Sequence, residues 1–152
     1  IAEENSGKLV TLVRQEARKL AEAKSLDLIL TDGPPGVGCP VIASIGGASA
    51  VLIVTEPTVS GKHDMKRVAQ LAAHFNMPAL VCVNKFDLNL ELTREIENYA
   101  GEKGIACLGR IPFDPIFTKA MIQAQTVFEY DGRSTLGEAI RGIWQSLTEK
   151  LE

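Results

Sequence analysis

The chain has 152 residues, 45% of them hydrophobic and 23% charged, with 19 acids against 16 lysines and arginines and a formal net charge of −3. That length suits one domain (residues 1–152) with a sizeable core, and the apolar content excludes disorder. The acidic balance removes the electrostatic basis for general nucleic-acid binding, and no apolar run nears the roughly 18 residues of a membrane span.

Three cysteines, Cys39, Cys82 and Cys107, lie far apart. Their odd number and wide spacing argue against a disulfide framework, a zinc site or an iron–sulfur cluster in this chain. With no signal peptide in view, they are expected to be reduced thiols of a cytoplasmic protein, two of them inside strands. Ile1 stands where an initiator Met is usual, so the chain is expected to be part of something longer.

In chain order, a helical face of Val10, Val13, Ala17, Leu20 and Ala21 precedes a first apolar run at residues 26–32 (LDLILTD). A short helix is expected from Pro40 to Gly46-Gly47, because Pro favours the first helical turn. A second run follows at 50–56 (AVLIVTE), then a helix through Met65, Val68, Ala69, Ala72 and Phe75. The third run is 79–85 (ALVCVNK), the next helix carries Leu92, Ile96, Tyr99 and Ala100, and the fourth run is 105–111 (IACLGRI). An amphipathic tail bears Leu136, Ile140, Ile143, Trp144, Leu147 and Leu151, and its acids make packing on the domain a better use than anionic lipid. Short, nearly continuous apolar runs suit strands covered on both faces. Alternating with helices, they predict a three-layer α/β/α domain with a mainly parallel sheet. In such a sheet chemistry gathers at the carboxyl ends of the strands.

The first run ends in Thr31-Asp32-Gly33-Pro34-Pro35-Gly36. An Asp at a strand tip can hold Mg²⁺ through a water, and the loop after it can bring backbone N–H groups to a phosphate. Asp, Gly and Pro also build ordinary strand-to-helix turns. The third run ends in Asn84-Lys85-Phe86-Asp87. Its Asn can hydrogen-bond a purine edge while the lysine stem covers the ring, or the four residues can be a capped turn. The fourth ends in Pro112-Phe113-Asp114-Pro115, a rigid turn with an acid at the same edge. His63 and His74 lack metal-like spacing, and Lys62, His63, Lys66 and Arg67 read as a solvated basic face.

Taken together, the DGPPG tip, the VNK strand and the IPFDP turn resemble the MinD/ParA-type P-loop ATPases, a class that includes the nitrogenase iron protein and Mrp-like iron–sulfur carriers. Residues 4–10 (ENSGKLV) and 32–44 (DGPPGVGCPVIAS) are most similar to MinD-superfamily ATPases with an inserted ferredoxin domain, in the part after the insertion. The resemblance runs from about Glu4 to Tyr130 and covers the C-terminal half of the family's domain. It implies that Asp32 is the Walker B acid, catalytic and bound to Mg²⁺ through water. Gly33, Pro34, Pro35 and Gly36 would form the switch loop at the γ-phosphate. Asn84, with Lys85 beside it, would contact adenine, and Pro112, Phe113 and Asp114 would form a second base-side loop. Cys39, beside the switch, is expected to pack rather than do redox chemistry.

No G-x-x-x-x-G-K-[ST] stretch occurs in the sequence; Ser6-Gly7-Lys8-Leu9 and Ser60-Gly61-Lys62-His63 lack its first glycine and its final Ser/Thr. The fold is therefore expected to lack its N-terminal P-loop part, with the ferredoxin insertion and its iron–sulfur clusters also outside this chain. The implied parent binds and hydrolyses MgATP as a homodimer, with iron–sulfur handling or electron transfer, and a redox or iron–sulfur protein partner, as its output. This chain alone is expected to be inactive. A GTPase remains an alternative, since Asn84-Lys85-Phe86-Asp87 satisfies N-K-x-D, although position 35 is Pro where the D-x-x-G switch has Gly. A non-catalytic α/β interaction module is another. On the ATPase reading Asp87 caps the helix that follows it. In that class the strand entering the P-loop lies between the Walker B strand and the next one in sequence. Residues 26–32 and 50–56 are therefore expected to close up and pair, or to have the gap filled by another chain or a separate segment.

Overall fold

The computed structural model describes residues 2–151, with side chains described from Gly7 onward; Ile1 and Glu152 lie outside the described residues. Helices α1 (Ala2–Lys24) and α2 (Cys39–Ile45) come first, then strand β1 (Val51–Thr55) and helix α3 (Val59–His74). Strand β2 (Ala79–Asn84), a 3-10 turn (Phe86–Leu88), helix α4 (Leu90–Glu102) and strand β3 (Ala106–Ile111) follow. The chain ends with α5 (Ile116–Ile122), α6 (Val127–Asp131) and α7 (Thr135–Glu149). The three strands form one parallel sheet in the order β1-β2-β3.

Alternation sets what each strand face meets. Ile53, Val81 and Val83 turn toward Met65 and Ala69 of α3 and Ile96 of α4, and these six make the main core. On the opposite face α7 packs on β3. Their approach is close: a Cβ at Gly109 would lie 2.8 Å from Ile143 Cγ1, so only glycine fits there. Gly109 also follows an irregularity in the β2–β3 register at Val81/Cys82. In the first turn of α7, Leu136 joins Ile116 and Val127 in a second core, with Ile111, Tyr130 and Ile140 packed on it. The tail does pack back on the sheet.

Only β2 meets the expectation of strands covered on both faces: its residues 80–83 are all buried. In β1, Ile53 and Thr55 are buried but Val54, on the other face, is 58% exposed. Alternate cover also marks β3, where Cys107 and Arg110 are exposed. Cys82 is buried and its thiol is pushed up to about 11, first by burial and then by Cys107. The basic cluster is less solvated than expected, since Lys62 pairs with Glu95 and Lys66 lies 4.6 Å over the Tyr99 ring. His63 and His74 are exposed.

The main correction concerns residues 26–32. They are irregular rather than a strand, and every one of them is exposed, Leu30 to 76%. A strand exists through its ladder, and β1 pairs with β2 alone among the described residues. Of the expected outcomes, closure onto 50–56 does not occur. The helical face ahead of this segment is corrected too: Val13 and Leu20 are exposed, and Ala21 alone of the five residues is buried. What α1 packs against is α2. Arg14 Nη1 donates to the carbonyls of Ala43, at 3.0 Å, and of Gly46.

Candidate functional site

Three parallel strands bring three tips to one edge of the sheet, and the residues just beyond each tip are tied to one another. After β1 the chain turns through Glu56, Pro57 and Thr58 into α3. Thr58 Oγ1 caps α3 by accepting from Gly61 N, and Thr55 Oγ1 donates to Gly61 O at 2.9 Å. A Cβ at Gly61 would stand 2.4 Å from Glu56 O, so the turn is as tight as backbone allows. That turn leaves the Glu56 carboxylate facing the tip of β2, where Lys85 Nζ meets Oε1 at 2.7 Å.

At the tip of β2, Asn84 is half-buried and registers with Ile111 of β3. Lys85 takes a left-handed conformation (φ 53) that turns the chain into the 3-10 segment. The Lys85 ammonium is paired with Glu56, which fixes the end of the stem expected to cover a base. Asp87 does not cap α4 as expected. Asn89 does, accepting from Leu92 N at 3.0 Å. Asp87 Oδ1 instead accepts the backbone N–H of Phe113 at 2.7 Å, across to the loop after β3. The pattern hid this because Asp87 and Phe113 are far apart in sequence and an N-cap is the commonest short-range use of such a residue. Glu56 likewise escaped sequence reasoning; an acid ending an apolar run at the same edge as Lys85 was the available signal.

In the β3 loop, Pro112 is half-buried, Phe113 is exposed, and Asp114 Oδ1 accepts from Ile116 N at 2.9 Å at the start of α5. Asn84, Lys85, Pro112, Phe113 and Asp114 are thus gathered at one edge. Asp32, Gly33, Pro34, Pro35 and Gly36 belong to the irregular segment between α1 and α2, with Asp32 exposed and Gly36 at φ +90. Cys39 is exposed at the first position of α2 rather than packed. Among the described residues no group of three or more His, Cys, Asp or Glu could hold a metal ion. A Mg²⁺ held by one carboxylate and substrate phosphates asks only for a residue such as Asp32. No helix of the described residues is long and apolar enough to cross a membrane.

No family model matches the sequence. Two uncharacterized proteins of Methanocaldococcus jannaschii, MJ0578 and MJ0579, are each 30% identical, over 149 and 146 residues, or 98% and 95% of this chain. The chain spans about half the length of these relatives, 48% of each. Among solved structures it resembles the MinC:MinD cell division complex of Aquifex aeolicus (TM-score 0.74, 20% identity, 92% of this chain and 59% of that one). The septum site-determining protein MinD of Pyrococcus horikoshii, complexed with Mg-ADP, aligns at TM-score 0.67 and 21% identity, over 86% of this chain and 56% of that one. A ParA family ATPase of Chlorobium tepidum aligns at TM-score 0.57 and 21% identity, over 71% and 45%. With its parallel α/β sheet and these neighbours, the chain has the MinD/ParA P-loop ATPase fold.

Proposed function

We propose that this chain supplies the base-binding and Walker B parts of a MinD/ParA-like ATPase site in the protein to which it belongs. The observation that carries this is the knitted edge. Asn84 sits half-buried between two loops that are themselves fixed by Lys85–Glu56 and Asp87–Phe113. A half-buried amide presents both a donor and an acceptor, the pair an adenine edge needs. Pro112, Phe113 and Asp114 form the second wall, and exposed Phe113 offers a ring on which a base can stack.

Asp32 would hold Mg²⁺ through a water, with Gly33, Pro34, Pro35 and Gly36 approaching the terminal phosphate. The metal, when bound, neutralises charge on the phosphates. Residues beyond this sequence would bring the P-loop, and nucleotide binding would order residues 26–36 against it. A homodimer, a cytoplasmic location, and an output in iron–sulfur cluster handling or electron transfer with a redox partner complete the reading. They rest on the sequence resemblance alone. Against a GTPase stands Pro35, where the D-x-x-G switch has Gly, and Asp87 has one oxygen, Oδ1, engaged by Phe113 N.

The test is binding and turnover of ATP and GTP by the whole protein and by this chain alone. The whole protein should bind ATP over GTP. Asn84→Ala should weaken ATP binding, and Asp32→Ala should abolish turnover while sparing binding. The 152-residue chain should show no turnover above background. Turnover by this chain that vanishes in Asp32→Ala would overturn the division of the site. A whole protein that binds neither nucleotide would leave the non-catalytic interaction module.

A further inference from the structure

Asp87 occupies the place in Asn84-Lys85-Phe86-Asp87 that would read guanine in a GTPase, yet in this exposed residue Oδ1 accepts from the backbone N–H of Phe113. The turn that carries it is anchored from several directions. Phe86 O accepts from the buried Thr93 hydroxyl at 2.8 Å, and the Phe86 ring lies under the Arg110 guanidinium at 5.5 Å. Arg110 is itself held by Glu97 through a two-pronged pair at 2.6 and 2.7 Å. Asn89, two residues on, caps α4. From this fixed base Asp87 reaches across to Phe113 N, the middle of the Pro112-Phe113-Asp114 turn, whose other side is pinned by Asp114 to Ile116 N.

We propose that Asp87 is a positioning residue that latches the loop after β3 to the tip of β2 and so fixes one wall of the base pocket. This rests on the ATPase reading above. A charge-assisted bond to a backbone N–H is among the stronger polar contacts a loop can have. Removing it lowers the fraction of molecules with the loop in place, and apparent affinity falls by that fraction. The latch would act on binding and leave the chemical step alone.

The experiment compares wild type, Asp87→Ala and Asp87→Asn in the whole protein, with two readouts. The first needs no nucleotide: amide hydrogen exchange at Phe113. Asp87→Ala should speed it about tenfold or more, while Val81 and Val83 amides in β2 stay unchanged; Asp87→Asn keeps an acceptor oxygen and should retain most of the protection. The second is ATPase kinetics. Asp87→Ala should raise KM about tenfold with kcat unaltered, and Asp87→Asn should restore KM to within about twofold of wild type. An unaltered Phe113 exchange rate in Asp87→Ala would overturn the latch. Loss of a measured GTP affinity in Asp87→Asn would overturn it in favour of guanine reading. A wild type that binds no nucleotide but shows the Phe113 effect would overturn the base-side role and the ATPase reading together, with the latch itself upheld.

Discussion

Residues 26–30 (LDLIL) and 51–55 (VLIVT) make an instructive pair. Both are short apolar runs between helical stretches, and in isolation both read as strands. The second is β1, with Val51 to Thr55 in parallel register with Ala79 to Val83. The first is irregular and exposed. Propensity favours the second, which has four β-branched residues where the first has one and an Asp, but propensity alone does not make a strand. The difference lies in whether a neighbouring strand accepts the backbone N–H and C=O groups. The same contrast separates the two regions around them. From β1 onward, helices clamp a sheet; before it, α1 packs on α2 and leaves Leu9, Leu12, Val13 and Leu20 exposed.

Substitution in each region should expose this contrast most strongly. Ile96→Ala or Leu136→Ala, each at a position 0% exposed, should cost about 2–5 kcal/mol by urea unfolding. Leu30→Ser should fall within about 0.5 kcal/mol of wild type, as surface changes do. A large cost at Leu30 would mean that residues 26–32 are packed in solution, and the contrast would break.

Next in size is an alkaline effect confined to the sheet. The native Cys82 thiol is raised from 9.0 to about 11, so the native state holds its proton more tightly than the unfolded chain does. Its contribution to stability is therefore full below about pH 9 and fades as pH rises toward about 11, by about 1.4 kcal/mol per pH unit in that window. Urea midpoints at about pH 8 and about pH 10.5 should fall further apart for wild type than for Cys82→Ala. Equal slopes would show that Cys82 does not titrate differently on unfolding.

The smallest effects compare two polar contacts on helices. Asn89→Ala removes the cap of α4 and should cost about 1 kcal/mol. Arg18→Ala removes an exposed pair with Glu22 in α1 and should change stability by less than about 0.5 kcal/mol. Reversal of that order would place α1 in the cooperative unit as firmly as α4.

Much of the body was readable from sequence because its signals are local. An unbroken apolar run marks β2; Met65, Ala69 and Ala72 repeat at helical spacing; Pro40 starts α2 within a residue of its actual onset. The tips were readable as a group, since parallel strands must deliver Asn84 and Pro112 to one edge. Unreadable were the partners. That Lys85 would meet Glu56, or Asp87 the N–H of Phe113, depends on strand order and the depth of each turn, which no short window contains. The failure at residues 26–32 has the same origin, for a strand's partner is a long-range fact.

The contact between Gly109 and Ile143 links two sites in any lineage descended from this chain. With the sheet and α7 this close, a methyl group at 109 has no room unless position 143 surrenders one, and the φ of +158 adds a backbone strain that a smaller 143 does not relieve. Substitutions there should be strongly non-additive: Gly109→Ala harmful alone, Ile143→Ala a simple loss of packing, and the two together milder than their sum. A side chain can enter at 109 only after 143 has become smaller, so the order of the two changes matters.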